Sequence, residues 1–143
     1  MGKVLIVFAT RSDETKSIAE LIAEGVRIAG HEVQLNRVNE ITSEDDIKGY
    51  DGYVFGSATY HGEMISSMKQ FLFMAERAEL KGKAGGAFGA YGWSGEAPGR
   101  IFETMENIFG MKMASDPLML KAGWVGGGKE AAQDYGKKIT ELI

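Results

Sequence analysis

Apolar and polar positions follow two rhythms along this chain, and the switches between them mark its elements. Val4 to Ala9 is an unbroken apolar run, the pattern of a strand covered on both faces. From Thr15 to about Ala29, the positions Ile18, Leu21, Ile22, Val26 and Ala29 keep helical spacing, and Gly30 supplies the stop. Val33 and Leu35 alternate with polar residues, which predicts an edge strand over 32–38. Thr42-Ser43-Glu44-Asp45-Asp46 reads as a cap with an acidic first turn, and Gly49 leaves room for only a short helix. Tyr53-Val54-Phe55-Gly56 is another buried strand. The helix after it places Met64, Met68, Phe71, Leu72 and Ala75 on one face. Residues 84–90 form a strand of small residues that a helix can approach closely. Ile101, Phe102, Met105, Ile108 and Phe109 predict the next helix, and Leu118-Met119-Leu120 a short last strand. Ala132, Tyr135, Ile139 and Leu142 stripe a final helix.

The order is β-α five times, with the second helix stunted. Such alternation predicts a parallel sheet with helices on both faces. No repeat, linker or low-complexity segment divides the chain, so residues 1–143 are expected to form one domain. In open α/β sheets, ligands bind beyond the carboxyl ends of the strands. Loops 10–15, 57–63 and 90–96 each follow a strand, and the fold would gather them at that edge.

Composition narrows the chemistry. The chain has 143 residues, 44% hydrophobic and 25% charged, in the range of an ordinary globular protein. With no cysteine, disulfides, thiolate catalysis and cysteine-held metals are excluded. Only His31 and His61 are present, too few for a histidine metal site, and no metal is expected. A net charge of −4 argues against nucleic acid and for a basic or neutral partner. The longest apolar run is too short to span a membrane, and no secretory leader is visible; the expectation is a cytoplasmic protein. Glycine is abundant, 20 residues against 2 prolines, and its place in and beside the strands points to close backbone approach.

Three loops carry the candidate chemistry. In the first, Thr10, Ser12 and Thr15 supply three hydroxyls within six residues, and Arg11 adds a cation at the tip. Ser12-Asp13-Glu14-Thr15 makes a respectable helix cap with no ligand at all. The surplus hydroxyls point instead to an anion held at the helix N-terminus, with the Asp13 and Glu14 carboxylates turned to solvent. In the second loop, Tyr60 and His61 sit beside Gly62 at a strand end. The histidine alone is unremarkable, but the aromatic can cover a planar ring. In the third, Tyr91 and Trp93 flank Gly92 at a strand-to-helix corner, an unusual place for core aromatics and a suitable one for ring stacking. Gly123-Trp124-Val125-Gly126-Gly127-Gly128-Lys129 fits a nucleotide-binding pattern, but Glu130 stands where the magnesium-binding hydroxyl belongs. It reads as the connection into the last helix.

Taken together, Thr10-Arg11-Ser12-Asp13-Glu14-Thr15, Gly56-Ser57-Ala58-Thr59-Tyr60-His61-Gly62 and Phe88-Gly89-Ala90-Tyr91-Gly92-Trp93-Ser94-Gly95 resemble the three cofactor loops of short-chain flavodoxins. The last two are especially similar to the flavodoxin domain of flavo-diiron proteins. Asp13 stands where the family pattern has glycine. The resemblance implies a three-layer α/β/α fold with a five-stranded parallel sheet in the order 2-1-3-4-5, and a noncovalently bound FMN. Thr10, Arg11, Ser12, Asp13, Glu14 and Thr15 would hold its phosphate. Ala58, Thr59, Tyr60, His61 and Gly62 would meet the ring near N5, and Ala90, Tyr91, Gly92, Trp93 and Ser94 its pyrimidine side. Trp93 and Tyr60 would lie against the ring faces, and these electron-rich rings, with Glu63 and Glu96 nearby, would disfavour the anionic reduced ring and lower the second reduction potential.

The implied function is a low-potential one-electron carrier, monomeric, with no catalytic residue of its own and redox partners docking weakly at the flavin edge. The rival of the same fold is an FMN-dependent NAD(P)H/quinone oxidoreductase, since Ser57-Ala58-Thr59-Tyr60 resembles the quinone reductases. A phospho-accepting receiver module would need an acidic cluster after the first strand and an aspartate ending the third. The chain has Phe8-Ala9-Thr10 and Gly56-Ser57-Ala58 there.

Overall fold

Strand β1 (Lys3–Ala9) forms the spine of the sheet in the computed structural model, which describes residues 2–10, 13–60, 63–91, 96–121 and 128–143. Its six apolar residues are all buried. It is followed by α1 (Asp13–Ile28), β2 (Glu32–Arg37), two single 3-10 turns (Val38–Glu40 and Glu44–Asp46) and β3 (Gly52–Ser57). A two-residue hairpin, β4 (Thr59–Tyr60) and β5 (Glu63–Met64), leads into α2 (Ser66–Glu76) and β6 (Ala84–Tyr91). Then come α3 (Glu96–Glu103) with a π turn (Thr104–Ile108), β7 (Lys112–Met113), β8 (Leu118–Lys121) and α4 (Gly128–Thr140).

The main sheet is parallel, in the order β2-β1-β3-β6, with β7 and β8 both pairing β6 on its outer side. Counting β7 and β8 as one interrupted strand and setting the hairpin aside, this is the expected 2-1-3-4-5 arrangement. Alternate strand residues face opposite layers. Val4, Ile6, Phe8, Val54 and Phe88 pack against α1 and α4, while Leu5, Val7, Phe55 and Ala87 pack against α2 and α3. The stunted second helix is the 3-10 turn at 44–46. Asp46 accepts the backbone N–H groups of Thr42 (2.9 Å) and Ser43 (3.3 Å), and these bonds hold its carboxyl below the usual range.

Three local features differ from the sequence expectation. Met64 belongs to β5 and not to the helix after it. Ile108 is 65% exposed, because the π turn closes one residue late (Phe109 N–H to Thr104 O, 3.0 Å) and rotates Ile108 off the buried stripe of Ile101, Met105 and Phe109. Leu142 lies beyond the end of α4 and is exposed.

The break in the fifth strand has its own substitute. Lys83 and Gly85 turn their carbonyls to that side, where Lys112 and Ala114 donate to them. The next residue in that register, Ala87, falls in the gap between β7 and β8, and its N–H donates to the Tyr135 hydroxyl of α4 at 3.0 Å. Gly86 admits the tyrosine: a Cβ there would stand 2.9 Å from its ring and 2.8 Å from Ile139. Burial pushes the Tyr135 phenol up to about 12, with Asp116 adding to the rise against the Ala87 hydrogen bond.

Candidate functional site

Parallel register brings the candidate loops together. Ala9 pairs with Ser57, Gly56 with Phe88, and Ala90 with Leu120, so β1, β3 and β6 end side by side at the carboxyl edge.

At the first loop, Thr15 lies one turn into α1 and is fully buried, and its Oγ1 has no hydrogen-bond partner. It is the one such side-chain atom among the described residues. Thr10 lies half-buried past the end of β1, and Glu14 is half-buried in α1. Asp13 is the first residue of α1, a helical position that does not call for glycine. Arg11 and Ser12 lie outside the described residues, as does the Asp13 side chain. Thr10 also lines a cleft of about 270 Å³ with Phe8, Arg37 and Asn39, where the Arg37 guanidinium sits 5.3 Å from the Phe8 ring centre.

The second loop is built on Ser57, a fully buried residue at the end of β3. Its hydroxyl donates to Ala58 O (2.8 Å) and accepts the Ile65 N–H (3.1 Å), closing the base of the hairpin. The Ala58 N–H donates to Ala9 O (3.3 Å), joining this loop to the end of β1. Thr59 Oγ1 accepts the Ala97 N–H at 3.0 Å, so it caps α3 and ties the second loop to the third. Tyr60 pairs with Glu63 across the hairpin. The Tyr60 side chain, His61 and Gly62 lie outside the described residues.

Glu63 is a junction. Its Oε2 lies 3.2 Å from Lys69 Nζ on α2, and its Oε1 lies 3.5 Å from Arg100 Nε on α3. Oε1 also accepts the Met64 N–H at 3.2 Å. The Lys69 hydrogen bond, then the Met64 N–H and Arg100, hold this carboxyl below the usual carboxylate range. Glu63, expected to add negative charge beside the ring, is thus paired with two cations.

At the third loop, Ala90 is buried in β6 and Tyr91 ends the strand. The Tyr91 side chain and Gly92, Trp93 and Ser94 lie outside the described residues, as do residues 123–127 of the glycine-rich stretch before α4. Gly89 is required by its neighbours, since a Cβ there would overlap the Ser57 carbonyl oxygen. Sequence reasoning missed the anchoring roles of Ser57 and Glu63. A polar residue closing an otherwise apolar strand was the signal for the first. Nothing local signalled the second, whose partners lie 6 and 37 positions away.

The sequence profile of the family described as Flavodoxin matches residues 6–139. A flavodoxin from Aquifex aeolicus is 42% identical over 163 aligned positions, covering 100% of this chain and 88% of that protein. An NAD(P)H dehydrogenase (quinone) from Rhodopseudomonas palustris is 33% identical over 111 positions, covering 62% of this chain and 56% of that enzyme. Among solved structures, a flavodoxin from the domain Archaea superposes with a TM-score of 0.90 at 31% identity, covering 97% of this chain and 96% of the other.

Proposed function

The chain belongs to the flavodoxin family, and from that premise we propose that it carries electrons singly between redox proteins through noncovalently bound FMN. The supporting observation in the structure is the Thr15 hydroxyl, buried near the N-terminus of α1 with no partner. An unsatisfied buried polar group costs about 1–3 kcal/mol. A phosphate oxygen accepting its proton would remove that penalty, and the first-turn N–H groups and helix dipole favour the same occupant.

Thr10, Arg11, Ser12, Asp13, Glu14 and Thr15 would hold the phosphate. Ala58 to Gly62 and Ala90 to Ser94 would hold the ring from two sides, with Tyr60 and Trp93 against its faces. Bound FMN supplies the redox chemistry, as a group that passes electrons one at a time. The protein's residues bind it, shield it from water and set the charge around it. Ser57, Thr59 and Glu63 act one layer further out, fixing the loops to the sheet and to the helices.

We read residues 1–143 as one FMN-binding unit, monomeric and cytoplasmic, whose redox partners dock weakly at the ring edge. The net charge of −4 favours partners with basic surfaces and salt-dependent association, and disfavours nucleic acid. Among the described residues, no helix is long and apolar enough to cross a membrane. The quinone-dehydrogenase reading draws on the shorter match, which spans 56% of that enzyme's length.

The test is a visible absorption spectrum of the protein with FMN, followed through stepwise reduction. Two resolved one-electron steps support the carrier. A single two-electron step, with turnover of NAD(P)H and a quinone, would transfer the reading to the reductase. Failure to take up FMN would overturn both.

A further inference from the structure

Among the described residues, the β4–β5 hairpin has few bonds of its own. It is two residue pairs long, Thr59 with Met64 and Tyr60 with Glu63, and an isolated hairpin of that size is not stable in water. Among the described residues its outer fixings include the Ala58 N–H on Ala9 O, the Ser57 hydroxyl at its base, the Thr59 cap on α3, and the two-armed Glu63 carboxylate. Only the last reaches α2 and α3 at once. It is also charged: Lys69 and Arg100 bring two positive charges to the hairpin, and Glu63 cancels one.

We propose that Glu63 is a positioning residue for the cofactor site, which ties the β4–β5 hairpin to α2 and α3 and lowers the net positive charge beside it. The proposal rests on the FMN reading. The carboxylate spanning both helices holds the hairpin in register, and it would make the surroundings of bound FMN less favourable to added negative charge.

Two variants separate tether from charge, with two readouts for each: amide hydrogen exchange of residues 59–64 in the apoprotein, and the potentials of the two one-electron steps with FMN bound. Glu63→Gln removes the tether and leaves two uncancelled cations. Exchange in the hairpin should rise about threefold, the scale of exposed ion pairs, and the second potential should become less negative. Arg100→Gln cuts one arm and removes a positive charge. Exchange should rise again, but the second potential should move the opposite way. The urea midpoint of each variant, expected to stay near that of the unaltered protein, checks that the fold is intact. If Glu63→Gln leaves either readout unchanged, or if both variants shift the second potential in the same direction, the proposal is overturned. Failure of the unaltered protein to bind FMN would defeat the functional reading instead, while apoprotein exchange still tests the tether.

Discussion

The two faces of the sheet are packed on different principles. On one, α1 and α4 cross with backbone against backbone: a Cβ at Gly25 would overlap the Gln133 carbonyl oxygen, and a Cβ at Gly136 the Ile22 carbonyl oxygen. Tyr135 then fills the strand gap at Ala87. On the other face, six of the eight methionines lie in or against the core: Met64, Met68, Met105 and Met111 buried, Met74 and Met113 partly so. That face keeps an apolar cleft of about 240 Å³ between α2 and the π turn, with Phe73 71% and Ile108 65% exposed at its rim. Backbone contacts cannot shift, whereas methionine has three rotatable bonds and adapts to its surroundings. Helix α1, which follows the proposed phosphate loop, belongs to the rigid face. The hairpin and α3, beside the loops proposed to hold the ring, belong to the adaptable one. On the proposed reading, the rigid face would seat the phosphate and the adaptable face would clasp the ring.

The comparison breaks most sharply at Gly25. Gly25→Ala should destabilise the protein by about 3 kcal/mol, despite the better helix propensity of alanine. An unchanged urea midpoint would mean that the α1–α4 crossing is not close-packed.

Tyr135→Phe comes next, at about 2 kcal/mol, because it leaves the Ala87 N–H buried without an acceptor. Its pH signature has a definite sign. Below pH 10 the phenol is neutral in both states and its contribution is complete. Between 10 and about 12 only the unfolded chain loses the proton, so stability falls, by on the order of 2–3 kcal/mol, and levels off above. Denaturation across that range should show a shallower fall in Tyr135→Phe, the remainder coming from Tyr53, which burial also raises.

Thr15→Val separates folding from binding. Removing the orphaned hydroxyl should leave the apoprotein as stable or up to about 1 kcal/mol more stable. FMN should then bind about tenfold more weakly, as expected for one hydrogen bond to a charged group. A titration showing unchanged FMN affinity would remove Thr15 from the phosphate site.

The smallest effect sharpens the adaptable face. Met68→Leu and Met105→Leu should each change stability by less than about 1.5 kcal/mol. Losses as large as that at Gly25 would show both faces to be equally specified.

Much of this architecture was legible in the chain. Helical spacing from Ile18 to Ala29, stopped at Gly30 with its φ of 89°, gave α1 to within two residues. The all-apolar β1 announced a strand buried on both faces. What was hidden is instructive. The β4–β5 hairpin is too short to show an alternating pattern. Ile108 kept perfect helical spacing, but one extra residue in a turn rotated it outward. Nothing in the sequence marked Gly25 and Gly136 as close-packing positions, since the carbonyl oxygens they accommodate are more than 100 positions away. The pairing of Glu63 was hidden as well, because neither of its cations lies beside it in the chain.

The sequence by itself determined the alternation of strands and helices, the edge at which the loops collect, and the types of group those loops carry. These follow from periodicity and local turn chemistry, which act over a few residues. Only the tertiary structure decided which hydroxyl stays without a partner, which carboxylate is cancelled, which helix faces touch through glycine and how the broken fifth strand is mended. Those outcomes depend on distances between atoms far apart along the chain, and such distances are set when the whole core packs.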